Sequence, residues 1–389
     1  MKRQLWILTA TAALVLSSCC TRQAALSLSR PTDGSDTTVS QQVMQQVYEE
    51  SKTPYKYGLV IAPEDNQHKM DCPTVFRENG RWYMVYIVYN GRTNKDGRGY
   101  ETWLAQSKDL LHWTTLGRVL SFKDEGWDAN QRAGYPALQD MTWAGSYRLG
   151  TFQGKHWMSY FGGTKTGYEG TPLHIGMAYT DKDITKAHEW ESLPRPIMST
   201  DQPETQWFET ITQYKSLVYE DKDNQRFMLF YNAAGINPDN EVKAERIGIA
   251  YSDDMLHWQR YPGNPVFGHE NGMITGDAHI QKMGDLYVMY FFGAFWKNRP
   301  YDAFNTFACS YDLVHWTEWQ GEDLIYPSEP YDNWFAHKSF LVKYKGVVYH
   351  FYCAVNKDNQ RGIAVATSRD MGQSDVQFPK PHPKKKKTS

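Results

Sequence analysis

A short motif recurs along this chain and constrains its fold more than any other feature. The pattern Asp-(Leu/Met)-(Leu/Val)-His-Trp stands at residues 109–113, 254–258 and 312–316, and a degraded copy, His-Glu-Trp, stands at 188–190. The four tryptophans are 77, 68 and 58 residues apart. A loose period of this size is typical of repeat architectures. We interpret the tryptophans as structural residues and the neighbouring Asp and His as turn residues.

An apolar hairpin precedes each copy of the motif. Residues 71–76 and 81–87 form the first example, two β-branched and aromatic runs around a Glu-Asn-Gly turn, and a third run follows at 101–107. Similar hairpins occur at 147–160, 216–231, 278–290 and 339–352. Five such units predict an all-β, five-bladed β-propeller in a single domain. A β-sandwich is the alternative, but sandwiches show no repeated closing motif.

The start of the sequence differs from this repetitive region. Two basic residues precede an apolar stretch at 5–16, which is short for a bilayer span, and the tetrapeptide Leu-Ser-Ser-Cys follows. This tetrapeptide resembles the bacterial lipoprotein signal. The resemblance implies a signal peptide at 1–19, a lipid anchor on Cys19 and a place in the bacterial cell envelope. Secretion without a lipid is the alternative.

Composition predicts the remaining boundaries. Residues 20–52, rich in Ser, Thr and Gln, are expected to form a flexible tether with a short helical patch at 41–50. Residues 53–370 suit one large propeller domain. The tail at 371–389 contains four consecutive lysines and is expected to be a disordered basic segment.

Charge and cysteine content exclude several classes of function. The formal net charge is −2, which argues against a nucleic-acid-binding protein. Beyond Cys19 and Cys20, the cysteines Cys72, Cys309 and Cys353 lie in or beside apolar strands and are expected to be small buried residues rather than a disulfide framework. No metal-binding motif of useful specificity occurs, and we expect no required cofactor.

The first strand of each blade points to the candidate catalytic residues. In a propeller these strands surround one channel, so the residues where they begin share a pocket. Those residues are Asp71, Tyr135, Glu209, Asp277 and His337. Carboxylates brought together raise one another's pKa, and a protonated acid beside an ionised one is the arrangement that cleaves glycosidic bonds.

The repeated motif and these acids resemble the five-bladed glycosidases of families 32, 43, 62, 68, 117 and 130. The resemblance implies that Asp71 is the general base or nucleophile and Glu209 the general acid. The second blade lacks the Asp that family 43 places there, and Asp277 could supply the missing carboxylate from blade four. His337 resembles a last-blade His that lies under the sugar or contacts a cation, so the resemblance also allows a structural calcium in the channel.

Further residues are predicted to bind substrate. Glu169 lies on a Gly-rich loop and could hold a sugar hydroxyl or act as an alternative acid. Aromatic residues, 15% of the sequence, offer flat faces to sugar rings. The predicted substrate-binding set is completed by Tyr135, Trp207, Trp296, Trp334, His337, Lys338 and Arg361, and Gln213, Asn232 and Arg299 are further hydrogen-bonding candidates.

We therefore expect a lipid-anchored, exo-acting glycoside hydrolase that cleaves a terminal sugar from plant or host glycans. Two alternatives remain. A glycoside phosphorylase of the family 130 type would need a cluster of basic residues for phosphate. A non-catalytic sugar-binding propeller would use the aromatic residues alone.

Overall fold

The computed structural model describes Leu28 and residues 37–380. The predicted signal segment, its lipidation site Cys19 and the lysine run at 384–387 lie outside the described residues. The first strand in the sequence, β1 (Tyr55–Ile61), belongs to the last blade of the fold.

The first two blades are separate four-stranded antiparallel sheets. Short alternating or fully apolar runs form these strands, since both faces of each blade are covered by neighbouring blades. Blade one consists of β2 (Lys69–Glu78), β3 (Arg81–Tyr89), β4 (Tyr100–Ser107) and β5 (Trp113–Leu120). Blade two consists of β6 (Gln131–Pro136), β7 (His156–Gly163), β8 (His174–Thr180) and β9 (Glu191–Ser192).

The last three blades repeat this meander and are joined to one another by single parallel pairs. A 3-10 turn, Trp207–Glu209, precedes blade three. Blade three consists of β10 (Thr212–Asp221), β11 (Arg226–Ile236), β12 (Lys243–Ser252) and β13 (Gln259–Arg260). Blade four consists of β14 (Gly272–Met283), β15 (Leu286–Trp296), β16 (Ala303–Ser310) and β17 (Thr317–Glu318). Blade five contains β18 (Phe335–Tyr344), β19 (Val347–Val355) and β20 (Arg361–Thr367).

Blade five takes its outer strand from the N-terminal part of the protein. β1 pairs antiparallel with β20, in a register that places Tyr55 opposite Thr367. The strands of blade five also contact β2 of blade one, so the five blades form a ring. The five-bladed β-propeller predicted from the repeats is confirmed. The fifth unit has no His-Trp motif because β1 takes the place of the strand that the motif would lead into.

The repeated motif forms the turn between the third and fourth strands of a blade. In the first copy, Asp109 Oδ1 accepts hydrogen bonds from the backbone N–H groups of Leu111 (3.0 Å) and His112 (2.9 Å), and Oδ2 contacts His112 Nδ1 at 2.7 Å. The Trp113 indole donates to the carbonyl of Leu110 at 3.0 Å. The copies at 254–258 and 312–316 make the same bonds. Their structural role is thereby confirmed.

The expected tether differs from the structure in its last part. A helix, α1 (Gln41–Ser51), covers the predicted helical patch and begins at Ser40, whose Oγ accepts a bond from the backbone of Val43. Met44 and Val47 are buried, since they share the apolar face of the helix. This face packs on blade four around Met283, so the segment is part of the folded domain.

The expected disordered tail also begins later than predicted. Ser374 donates its backbone N–H to Tyr57 (2.8 Å), and Val376 forms a bridge with Leu59, so residues 371–380 follow the edge of β1. The backbone of β1 holds this segment because an edge strand has free hydrogen-bonding groups.

Two further observations concern the cysteines and the length of the helices. Cys72, Cys309 and Cys353 are free thiols and buried, as expected. Among residues 37–380, no helix is both long enough and apolar enough to cross a bilayer.

Candidate active site

A cavity of about 310 Å³ opens where the first strands of the blades begin. Its polar lining comes from every blade and consists of Cys72, Asn94, Tyr135, Tyr168, Glu169, Tyr214, Lys215, Asn232, Glu245, Asp277, His337, Lys338 and Arg361. Its apolar lining consists of Phe161, Ile274, Phe292, Ala294, Phe295, Ala303 and Phe335. The hairpin turns of β2–β3, β14–β15 and β18–β19 lie at the other end of the first strands, and we call that end the hairpin end.

Bulges in four of the first strands aim side chains into this cavity. The pairing register shifts after Asp71, Gln213, Gly276 and His337. Three residues at these bulges, Cys72, Asp277 and Lys338, have positive φ angles of 48°, 61° and 64°. A bulge turns a side chain away from the regular alternation of a strand, and positive φ in such residues is retained where the surroundings enforce it.

Asp71 lies beneath the cavity and does not line it. Its side chain is fully buried, and its Oδ2 accepts from Lys338 Nζ at 3.0 Å and Arg361 Nη1 at 3.1 Å. Burial alone would raise the pKa of Asp71, but the charges of Lys338 and Arg361 outweigh it and hold that pKa well below its usual range. Asp71 thus fixes two cations at the cavity floor, and the catalytic role that the resemblance implied for it stays a prediction.

Asp277 does reach the cavity, as predicted. Its Oδ2 lies 4.0 Å from Lys215 Nζ and accepts a weak bond from the Cys72 thiol at 3.7 Å. Lys215 also stands over the ring of Tyr135, with Nζ 5.5 Å from the centroid. These side chains come from blades one to four, so the first strands converge as the sequence predicted.

Glu209 is not part of the cavity, which corrects its assignment as the general acid. Its Oε1 accepts from Arg260 Nε (2.7 Å) and from the backbone of Gln206 (3.1 Å), and its Oε2 accepts from Gln213 Nε2 (2.7 Å). The carboxylate caps the 3-10 turn and is fully buried. It precedes β10 by three residues, and that offset places it against Tyr231 and Arg260 of its own blade.

Two other glutamates face the cavity, and both have raised pKa values. Burial, reinforced by the charge of Glu169, raises the pKa of Glu245 to about 7. Burial also raises the pKa of Glu169; Lys338, whose Nζ is 3.8 Å from Glu169 Oε1, opposes this rise, and the charge of Asp71 adds to it. Within the described residues, the Glu245 side chain accepts one hydrogen bond, from Asn232 Nδ2 at 3.2 Å.

The three predicted tryptophans lie outside the cavity lining. Trp296 is buried, donates to the carbonyl of Ile274 at 2.7 Å and stacks on His269, with ring centroids 3.7 Å apart. Trp207 belongs to the 3-10 turn and packs against the blade core. Trp334 is half-buried and stacks on Phe335, a cavity residue, with centroids 4.5 Å apart. Trp207 and Trp296 therefore serve the core, whereas Trp334 supports a residue of the cavity wall.

The remaining predicted binding residues, Tyr135, Glu169, His337, Lys338 and Arg361, all line the cavity. Burial lowers the pKa of His337 to about 3, so this His is neutral at physiological pH. Of the additional candidates, Asn232 lines the cavity, whereas Gln213 binds Glu209 and Arg299 pairs with Asp323.

The channel residues do not fit calcium. Asp71, His337 and Cys353 offer donor atoms within 4.8 Å of one another. Calcium prefers six to eight oxygen ligands, whereas two of these donors are nitrogen and sulfur. Asp71 is also already neutralised by Lys338 and Arg361.

Glu245, Lys215 and Tyr168 were not predicted from the sequence. Glu245 lies on the third strand of its blade, whereas the catalytic acids were predicted at the starts of first strands. A charged residue at the channel end of an otherwise buried strand was the available signal, since buried acids are rare unless paired or functional. Tyr168 gave no such signal in the sequence. The fold of its loop brings its ring under the guanidinium of Arg361.

The sequence and the fold were compared with those of known proteins. No protein-family model and no curated protein matches the sequence. A solved structure described as a complex of BT0996 with RGII is 62% identical, covers 89% of this protein and all of its own length, and superposes with a TM-score of 0.88. A second, described as "Glycoside hydrolase", is 61% identical over the same shares, with a TM-score of 0.88.

More distant structures share the fold. A member of the family 130 mannoside phosphorylases and glycoside hydrolases is 13% identical, covers 81% of this protein and 93% of its own length, and has a TM-score of 0.58. This likeness concerns the propeller alone. The first two structures are 62% and 61% identical to this protein over their whole length, and proteins that are so similar belong to one family. We therefore identify the protein as a glycosidase of the same glycoside hydrolase family.

Proposed function

We propose that this glycosidase is exo-acting, with Glu245 as the general acid and Glu169 as the ionised partner. The observation that carries the proposal is a pair of glutamates with raised pKa values that face one small cavity. Small-molecule sites span about 300 to 1,000 Å³. The volume here, about 310 Å³, suits one terminal sugar better than the interior of a polysaccharide.

The two glutamates differ in their surroundings, which divides the roles between them. Glu169 has Lys338 at 3.8 Å, and this cation favours its ionised form. Glu245 has a pKa of about 7 and so retains a proton near neutral pH. Pairs of acids whose environments differ in this way are typical of acid and base assignments.

The chemical step then follows from these protonation states. The Glu245 carboxyl gives its proton to the glycosidic oxygen while the bond from that oxygen to the anomeric carbon breaks, and the leaving sugar departs as an alcohol. Glu169 either attacks the anomeric carbon or takes a proton from the water that attacks it. Lys215, Lys338 and Arg361 orient hydroxyl groups at the cavity floor.

Phosphorolysis is the alternative that the basic lining of the cavity favours. Three cations line it, Lys215, Lys338 and Arg361. However, Asp71 is paired with two of them, Asp277 faces the third, and Glu169 lies 3.8 Å from Lys338, so three carboxylates stand against three cations. A phosphate dianion would meet no unopposed positive charge, so hydrolysis fits the charges better.

The relative that was solved in complex with RGII suggests the substrate class. We propose that this protein also acts on an RGII oligosaccharide and releases its terminal sugar. The test is to incubate the full-length protein with RGII oligosaccharide, with and without phosphate. We expect release of one monosaccharide at a rate independent of phosphate. A phosphorylated sugar product would establish phosphorolysis instead.

Two variants and a control make this test specific. Glu245→Gln and Glu169→Gln are expected to release no detectable sugar while remaining folded. Glu220→Gln, which changes an exposed glutamate of the same blade at the hairpin end, is the matched control. Wild-type rates in Glu245→Gln or Glu169→Gln would contradict the assigned roles.

We also propose that the protein is anchored to the cell envelope through lipid on Cys19. Leu28, nine positions later, packs with Met283 and Leu286 at the hairpin end. An anchor so close to Leu28 would hold the hairpin end near the bilayer and point the cavity away from it. Incorporation of labelled palmitate into the wild type but not into Cys19→Ala would support the anchor, and equal labelling would refute it.

A further inference from the structure

Tyr301 is exposed at the mouth of the cavity. The residue is 72% exposed, the highest value among the exposed large apolar and aromatic residues at 37–380. It lies in the loop between β15 and β16, and this loop is at the cavity end because β15 runs away from the hairpin end. Isolated exposed aromatic residues are common on protein surfaces, so exposure alone means little.

The contacts of Tyr301 distinguish it from an ordinary surface residue. Its ring stacks on Phe295, with centroids 4.4 Å apart and planes inclined by 28°. Phe295 lines the cavity and has a positive φ of 56°, which is rare for a bulky residue. One face of Tyr301 is thus supported by the cavity wall, and the other is free.

The aromatic contacts continue around the same side of the mouth. The Phe295 ring meets the edge of Phe335 at 5.9 Å and 82°, and Trp334 stacks on Phe335 at 4.5 Å and 24°. We call Phe295, Tyr301, Trp334 and Phe335 the aromatic rim. Stacking of this kind restricts ring motion, so that a ligand placed against Tyr301 meets a surface already held in position.

We propose that the free face of Tyr301 binds the sugar on the leaving side of the cleaved bond, the first unit beyond the terminal sugar. This proposal rests on the exo-acting function proposed above. A pyranose or furanose ring with an apolar C–H face would pack against the phenol ring, whose buried area contributes most of the binding. Tyr301 would therefore select oligosaccharides over simple glycosides without taking part in the chemistry.

The experiment compares two substrates that differ in the leaving group. One is RGII oligosaccharide, and the other is the methyl glycoside of its terminal sugar, which has no second ring to stack. Tyr301→Ala is expected to lower kcat/KM about tenfold for the oligosaccharide, equivalent to about 1.4 kcal/mol, and less than twofold for the methyl glycoside. Tyr301→Phe keeps the ring and is expected to retain wild-type values with both substrates.

The control is Tyr55→Ala, which removes a tyrosine of 48% exposure from β1. It should leave both rates unchanged. Equal losses with both substrates in Tyr301→Ala, or no loss with either, would overturn the proposal.

A binding measurement separates this proposal from the proposed function. Oligosaccharide affinity is measured by calorimetry in the Glu245→Gln background, with and without Tyr301→Ala. An approximately tenfold weaker Kd with Tyr301→Ala supports the subsite even if the wild type proves inactive on this glycan. An unchanged Kd overturns the subsite while leaving the catalytic assignment intact.

Discussion

Blade three holds two buried glutamates with opposite surroundings, and the contrast separates a structural role from the proposed catalytic one. Glu209 receives hydrogen bonds from Arg260, Gln206 and Gln213 at 2.7 to 3.1 Å. Glu245 receives one, from Asn232 at 3.2 Å, among the described residues. Both side chains are buried, but only Glu245 faces the cavity.

Under the proposed function, burial alone does not mark a catalytic acid. A carboxylate whose acceptor positions are filled by cationic and neutral donors is held in one position and has no free oxygen to offer a substrate. A carboxylate that is buried but poorly paired keeps its proton to a higher pH, which is the property a general acid needs.

The largest expected effect is on turnover. Glu245→Gln should lower kcat on RGII oligosaccharide by about 10³-fold, since general acid catalysis contributes about 10²- to 10⁴-fold. The fold should be retained, because Gln keeps the shape of the side chain. Circular dichroism and kcat, measured on the same preparation, check this. Unchanged turnover would place the acid elsewhere.

Glu209 should show the opposite pattern, with a loss of stability. Glu209→Ala leaves Arg260 buried without its carboxylate partner, and breaking such a pair costs about 3–5 kcal/mol in the free energy of unfolding. Urea denaturation measures that loss. The protein that remains folded should keep its kcat, and a kcat reduced as far as in Glu245→Gln would contradict the distinction.

The proton on Glu245 also predicts a pH dependence of stability. The folded-state pKa is raised from 4.5 to about 7, so the folded protein binds more protons than the unfolded protein between these values. Stability contributed by this group is therefore lost as the pH rises from about 4.5 to 7. Glu245→Gln should be more stable than the wild type at pH 8. Equal stability of the two proteins at pH 8 would contradict the raised pKa.

The same proton predicts the basic limb of activity. Wild-type kcat/KM should fall about tenfold for each pH unit above about 7, because the acid form of Glu245 declines in that proportion. The Glu220→Gln control should keep this limb. A profile that is flat to pH 9 would indicate that Glu245 carries no essential proton.

A smaller effect is expected from Asp71, whose charge raises the pKa of Glu169. Asp71→Asn removes that charge and leaves Lys338 and Arg361 unopposed by it, so the pKa of Glu169 should fall. The acid limb of kcat/KM should shift to lower pH while part of the turnover remains. Complete loss of turnover in a folded Asp71→Asn protein would favour Asp71 as the base.

The sequence predicted the fold well because the fold depends on local patterns. The Asp and Trp of the repeated motif, such as Asp109 and Trp113, form turns whose bonds lie within five residues of one another. Hairpins and the helix at Gln41–Ser51 likewise follow from local periodicity. The pairing of β1 with β20 was not predicted, because strands that are far apart in the sequence pair without any local sequence signal.

The site was predicted only in part, for a geometric reason. The bulges that aim Asp277 and Lys338 into the cavity occur on first strands, from which these residues were predicted. Glu245 enters from a third strand, and Glu209 stands three residues before its strand, so the start of blade three indicated Glu209 and not the glutamate that faces the cavity. Which of two acids is paired depends on distant residues such as Arg260, and only the folded structure brings these together.

The most direct test of the central claim compares leaving groups in Glu245→Gln. A general acid matters most when the departing alcohol is poor and little when it leaves readily without a proton. We predict that Glu245→Gln loses about 10³-fold in kcat/KM on RGII oligosaccharide but less than about tenfold on the dinitrophenyl glycoside of the same terminal sugar. Equal losses on both substrates would contradict the role of Glu245 as the proton donor.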